Sequence, residues 1–175
     1  RILELESENT DSELAEKDPA VSVAGLAPWK VIQRPSHVVF GVGRIAEMGE
    51  LVRELGGRRV LLVTDPGIRA VGHEDAALEA LVEASLEAVV FDEVEENPTT
   101  KHIDLGVEVA RRSDVDFIVG LGGGSSMDCA KGINLLLTNG GRMEDYWGFN
   151  KVTQPTLPSI GVPCTAGTGS ESQSF

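Results

Sequence analysis

Three consecutive glycines, Gly122, Gly123 and Gly124, follow the apolar segment at residues 117–119 and precede Ser125-Ser-Met-Asp-Cys-Ala-Lys131, a run that reads as the start of a helix opening with Ser125. A strand that turns into a helix over bare backbone builds an anion site. The first N–H groups of a helix lack intrahelical acceptors and carry the positive end of its dipole, so without Cβ atoms in the way a pyrophosphate can reach them. One glycine suffices for a sharp turn. Three in a row add unfolded-state entropy, which favours close ligand approach over a purely structural bend. Ser125 and Asp128 also fit the Ser-x-x-Asp spacing of a capping box, which explains those two without any ligand. The loop matches neither common fingerprint: Gly120, Gly122 and Ser125 fill the G-x-G-x-x-G spacing with its last glycine missing, and no G-x-x-x-x-G-K-[ST] is present.

Other polar residues stand where apolar runs end. Asp65 follows such a run and could accept hydrogen bonds from a ribose hydroxyl pair, or simply initiate the turn at Pro66-Gly67. Asn97 before Pro98 is open in the same way, since Asn readily caps the helix expected just beyond it. Lys131 can pair with Asp128 on one helix face or lie near a phosphate. Thr165, Thr168 and Ser170 place hydroxyls on a glycine-punctuated loop, suited to a nicotinamide ribose or amide and equally to plain loop chemistry. Metal ligands are missing: His37, His73 and His102 are scattered, with no H-x3-H or E-x-x-H pair, and read as solvent or capping histidines. No Ser-His-Asp or Cys-His arrangement emerges from spacing, and Cys129 and Cys164 read as packed thiols.

Alternating elements must position these groups. Residues 37–41 read as a short strand. Ile45, Met48, Leu51, Val52 and Leu55 recur at helical spacing ahead of Gly56-Gly57, and residues 60–63 form a continuous apolar run, as in a strand buried on both faces. Ala77, Leu78, Leu81, Val82 and Leu86 mark a second helix, residues 89–91 a second buried strand, and Ile103, Val107 and Ala110 a third helix. Residues 115–119 are the next strand. A helix carrying Met127, Ala130, Ile133 and Leu137 inward closes at Gly140-Gly141, and residues 160–162 are one more apolar segment. Strands alternating with helices argue an α/β fold, a Rossmann-like parallel sheet with helices on both faces. In such sheets ligands gather at the carboxyl ends of strands, where Asp65, Asn97, the glycines and the loop at residues 165–170 all fall.

Composition narrows the partners. A net charge of −13 argues against nucleic acid, whose binders need clustered Lys and Arg. Residues 1–18 hold seven acids and two bases with no core-like periodicity, so residues 1–27 read as an acidic extension and residues 28–175 as one globular domain. Two cysteines without a C-x-x-C fit a reducing, cytoplasmic setting, and no stretch approaches the roughly 18 apolar residues of a membrane helix. The start at Arg1 and the polar run up to Phe175 suggest a piece of something longer.

The chain resembles the amino-terminal domain of the iron-containing (group III) alcohol dehydrogenase family over roughly residues 28–175. The resemblance rests on Gly122-Gly-Gly-Ser-Ser-Met-Asp-Cys-Ala-Lys131, Pro163-Cys-Thr-Ala-Gly-Thr-Gly-Ser-Glu171, Thr64-Asp65 and Glu96-Asn-Pro-Thr99. It implies NAD(P)-dependent interconversion of an alcohol with its aldehyde or ketone, and a homo-oligomer. It also implies that Asp65 faces the adenosine ribose and that Gly123, Gly124 and Ser125 face the pyrophosphate, with Gly122 in the same cofactor site. Asn97 would belong to the same cofactor site, with Asp128 on the nicotinamide side and Cys164, Thr165 and Thr168 on the second flank. Cys164 departs from the threonine usual there. Aspartate at position 65 suggests NAD more than NADP. The family's divalent metal, iron or zinc, sits in a following all-helical domain, so its ligands are expected beyond Phe175 and the catalytic residues are not assigned within this chain. Related alternatives are a glycerol or glycerol-1-phosphate dehydrogenase, a dehydroquinate-synthase-like lyase, and a dinucleotide-binding module without redox activity, since fold alone does not license activity.

Overall fold

A computed structural model describes residues 38–148 and 150–171. The acidic extension and His37 lie outside the described residues, which from Val39 onward belong to one compact unit. Four strands, β1 (Arg59–Val63), β2 (Glu87–Phe91), β3 (Phe117–Gly122) and β4 (Ser159–Pro163), make a parallel sheet in the order β2-β1-β3-β4. Five helices connect or flank them: α1 (Met48–Glu54), α2 (Pro66–Ala70), α3 (His73–Glu83), α4 (Thr100–Arg112) and α5 (Gly124–Asn139). Short 3-10 turns at Arg44–Glu47 and Met143–Tyr146 precede α1 and follow α5.

Because side chains alternate across a strand, the central strands feed two cores at once. Leu61, Val63 and Ile118 pack on one face with Ile103, Val107 and Ala110 of α4 and Ala130, Ile133 and Leu136 of α5. On the opposite face Val60, Leu62, Phe117, Val119 and Leu121 meet Met48 and Val52 of α1 and Ala77 and Leu81 of α3. Burial on both faces is why β1 and β3 read as unbroken apolar runs.

The departures from expectation have physical causes. The strand expected at residues 37–41 is not formed among its described residues: 38–40 join no ladder, and Phe40 is 95% exposed. β2 is less buried than its sequence suggests, with only Phe91 fully inside, because among the described residues it is an outer strand. Leu55 and Val82, counted as inward, are exposed; Leu55 is the last cap residue of α1, and Val82 sits past the edge of the buried stripe of α3. β3 starts two residues later than expected and continues through Gly122, with Val115 buried ahead of it.

Two asparagines on α5 fix the approach to β4. The amide of buried Asn134 donates from Nδ2 to the Leu157 carbonyl at 2.9 Å and accepts the Leu157 N–H at Oδ1, also at 2.9 Å. Asn139 Oδ1 accepts the N–H groups of Thr153 at 3.0 Å and Gln154 at 2.8 Å. A carboxamide used this way copies the donor and acceptor of a neighbouring strand, satisfying backbone groups that would otherwise be left unpaired.

Candidate functional site

All four strands point their carboxyl ends the same way, so their following residues line one edge of the sheet. The strand order sets their sequence along it: the segment after β2 first, then Asp65 after β1, the glycine turn after β3, and the loop from Cys164 after β4. With strands about 4.8 Å apart, this row spans about 14 Å.

The three glycines at its centre are bare for different reasons. Gly122 has φ of +145°, and a Cβ there would lie 2.6 Å from Ser126 Oγ and 3.0 Å from Asp65 Oδ2. The fold alone demands glycine at that position. A Cβ on Gly124 would press on Ser170 Oγ at 3.2 Å and on Thr168 Cβ and Cγ2 at 3.3 Å, so the β4 loop seats directly against it. Gly123 differs from both: its φ is −80°, and an added Cβ would meet Thr165 Cγ2 at 3.5 Å, an ordinary contact. Neither strain nor crowding accounts for glycine at 123.

Helix α5 begins one residue before the expected start. Gly123 is its N-cap, with no side-chain cap hydrogen bond, and Gly124 is its first residue. Ser125 therefore lies inside the first turn and cannot act as the cap, and the expected box with Asp128 does not form. Asp128 instead accepts from Lys131 Nζ at 3.4 Å, the pairing anticipated from their spacing. The opening amides of a sixteen-residue helix are left without a side-chain acceptor, facing the turn where Gly123 leaves room.

Asp65 does what a turn aspartate does and more. Its Oδ1 accepts from Gly67 N at 3.0 Å and Ile68 N at 3.1 Å, capping α2, while Oδ2 accepts the Ser126 hydroxyl at 2.9 Å. The carboxylate is thereby held beside the glycine turn. Cys164 N donates to the Gly122 carbonyl at 2.8 Å, which brings the β4 loop against the same turn. Within that loop Thr165 and Thr168 are exposed, whereas Ser170 is buried and its N–H reaches Thr168 Oγ1 at 3.4 Å.

The cysteines separate. Cys129 is the packed thiol expected, and burial pushes its pKa up to about 12. Cys164 is exposed, contrary to expectation, because β4, an outer strand among the described residues, ends just before it and releases it onto the loop; desolvation and then the nearby Asp65 charge raise its pKa. Asn97 does not cap α4. It adopts φ of +57° and turns the chain, and the cap falls to Thr99, whose N–H donates to His102 Nδ1 at 2.9 Å. His102 is thus a capping histidine, and His73 is exposed at the start of α3. The contacts that gather Asp65, the glycines and the β4 loop do not extend to Asn97, which stands beyond β2. There an open groove of about 740 Å³ is lined by Pro66, Asp92, Val94, Thr99, His102 and Leu105, among others.

No group of three or more His, Cys, Asp or Glu able to hold a metal occurs among the described residues. Sequence inspection missed Ser126, whose partner is 61 positions away in the chain, and Asn134, whose signal is a lone amide between Ile133 and Leu135 on a buried helix face.

Residues 35–175 match the model of a family described as iron-containing alcohol dehydrogenase. Alcohol dehydrogenase 4 of Schizosaccharomyces pombe is 43% identical over 148 residues, covering 85% of this chain and 35% of that protein. NAD-dependent methanol dehydrogenase of Bacillus methanolicus is 36% identical over 141 residues, covering 81% of this chain and 37% of the relative. Among solved structures, 1,3-propanediol oxidoreductase superposes with a TM-score of 0.72 at 44% identity, over 75% of this chain and 34% of its own. The chain spans little more than a third of the length of the relatives it matches.

Proposed function

For a chain that belongs to the iron-containing alcohol dehydrogenase family, we propose that it is the cofactor-binding part of an NAD-linked, metal-dependent alcohol dehydrogenase. The observation that carries this is Gly123, bare where the fold would accept a side chain, at the uncapped start of α5. A diphosphate is the ligand that such a place suits: it brings negative charge to the helix dipole and acceptors to the amides of Gly124 and Ser125.

The row of strand ends orders the rest of the dinucleotide. With the pyrophosphate between Gly122 and Ser125, the adenosine ribose falls to Asp65 and the adenine toward the groove beyond β2, with Asn97 on that side. The nicotinamide extends past Asp128 toward Cys164, Thr165 and Thr168. NAD accepts a hydride from the alcohol carbon when bound; this chain's part is to grip the diphosphate, orient the ribose and line the nicotinamide flank. Asp65 favours NAD, since its carboxylate would face the additional negative charge of a 2′-phosphate.

No set of side chains among the described residues fits the family's metal. A small alcohol or aldehyde as substrate is supported by relatives named for alcohol, methanol and 1,3-propanediol. A cytoplasmic setting is supported by two cysteines that are both free, and homo-oligomerisation by the family resemblance. No described helix is long and apolar enough to cross a membrane.

The test is Gly123→Val in the full-length protein. Because φ at 123 suits any residue, the melting temperature is expected to stay within about 2 °C while NAD affinity falls about 100-fold. Unchanged affinity by calorimetric titration would remove the diphosphate from this turn.

A further inference from the structure

Ser126 is fully buried, lies in the first turn of α5, and donates its hydroxyl to Asp65 Oδ2 at 2.9 Å. The space in which that bond forms exists because Gly122 lacks a side chain: a Cβ there would stand 2.6 Å from Ser126 Oγ and 3.0 Å from Asp65 Oδ2. Three residues from three elements thus meet to hold one carboxylate. Its Oδ1 already accepts two amides of α2, so both lone pairs on that oxygen are taken. Oδ2 has one lone pair occupied by Ser126 and one left over.

We propose that Ser126 is a positioning residue for coenzyme choice, fixing the single open lone pair of Asp65 so that it receives one ribose hydroxyl. The proposal rests on the placement of the adenosine ribose at Asp65 given above. A 2′-hydroxyl has a proton to donate into that direction. A dianionic 2′-phosphate has none and adds charge against the carboxylate. Ser126 does not touch the ligand; it sets the angle at which Asp65 can be used. Removing its hydroxyl leaves the carboxylate charge in place but frees Oδ2 to turn about the bond held by α2, so the ribose hydrogen bond loosens while repulsion of the 2′-phosphate persists.

The experiment compares NAD, NADP, ADP and 2′-deoxy-ADP as ligands of the full-length protein, wild type against Ser126→Ala and Ser126→Thr. For Ser126→Ala the expected result is NAD and ADP affinity lower by about 10-fold, with NADP and 2′-deoxy-ADP changed by less than about 2-fold. Ser126→Thr, which keeps a hydroxyl, restores most of the NAD preference. If all four ligands weaken in parallel, Ser126 is only a staple between α5 and β1, and the proposal is overturned; it is equally overturned if none changes. Should Ser126→Ala melt below the assay temperature, Ser126→Cys keeps the volume with a weak donor, and the same ratio decides. Failure of the underlying placement looks different: wild-type protein would then bind ADP and 2′-deoxy-ADP equally.

Discussion

Helices α4 and α5 both start at the edge where the strands end, and they complete their first turns in opposite ways. At α4 the chain supplies its own partner, with the Thr99 N–H on the His102 ring nitrogen. At α5 the cap residue is Gly123 and no side chain closes the turn. A helix terminus that serves only the fold is completed by the fold. One left incomplete, on the longer helix and beside a carboxylate held by α2 and by Ser126, is what the proposed diphosphate would complete.

That contrast can be broken or sharpened by substitution. The largest effect is expected from Gly122→Val, which combines a left-handed backbone with a clash against Ser126 and Asp65: a loss of about 3 to 4 kcal/mol in denaturant unfolding, with NAD affinity falling alongside. A stable Gly122→Val protein would mean that the turn is not as constrained as its geometry indicates. Next, His102→Ala removes the acceptor at α4 and is expected to cost about 1 kcal/mol in the same measurement, with a loss of NAD affinity far smaller than that of Gly123→Val, since the ring only lines the groove proposed for the adenine. If NAD affinity fell as far as it does for Gly123→Val, the two termini would not be distinct. The smallest stability effect, and the sharpest test, is Gly123→Asp. It gives α5 the cap it lacks, so the ligand-free protein should gain a few tenths of a kcal/mol while NAD binding is abolished in titration. A variant that becomes less stable would show that Gly123 is kept for folding.

Much of this fold is legible in the sequence. β1 and β3 announce themselves because both faces are covered, and α4 because Ile103, Val107 and Ala110 keep one stripe. The glycine turn, Asp65 and the β4 loop meet as the alternation of strands and helices implies, since parallel strands bring all their carboxyl ends to one edge. What stayed hidden depends on partners distant in sequence. Ser125 and Asp128 have the spacing of a cap, but Thr168 and Ser170 packing on Gly124 accompany a helix that starts earlier. Ser126 looks like any helix-opening serine until Asp65 is placed beside it, and Cys164 looks like a packed thiol until β4 proves to be an outer strand. Burial of β2 and exposure of Val82 depend on which faces other elements cover, which local periodicity does not record.

The amides of Asn134 and Asn139 have a mechanical consequence. They fasten the lead-in of β4 to the same helix whose first turn is the proposed diphosphate contact, so shifting β4 against α5 would first have to break those hydrogen bonds.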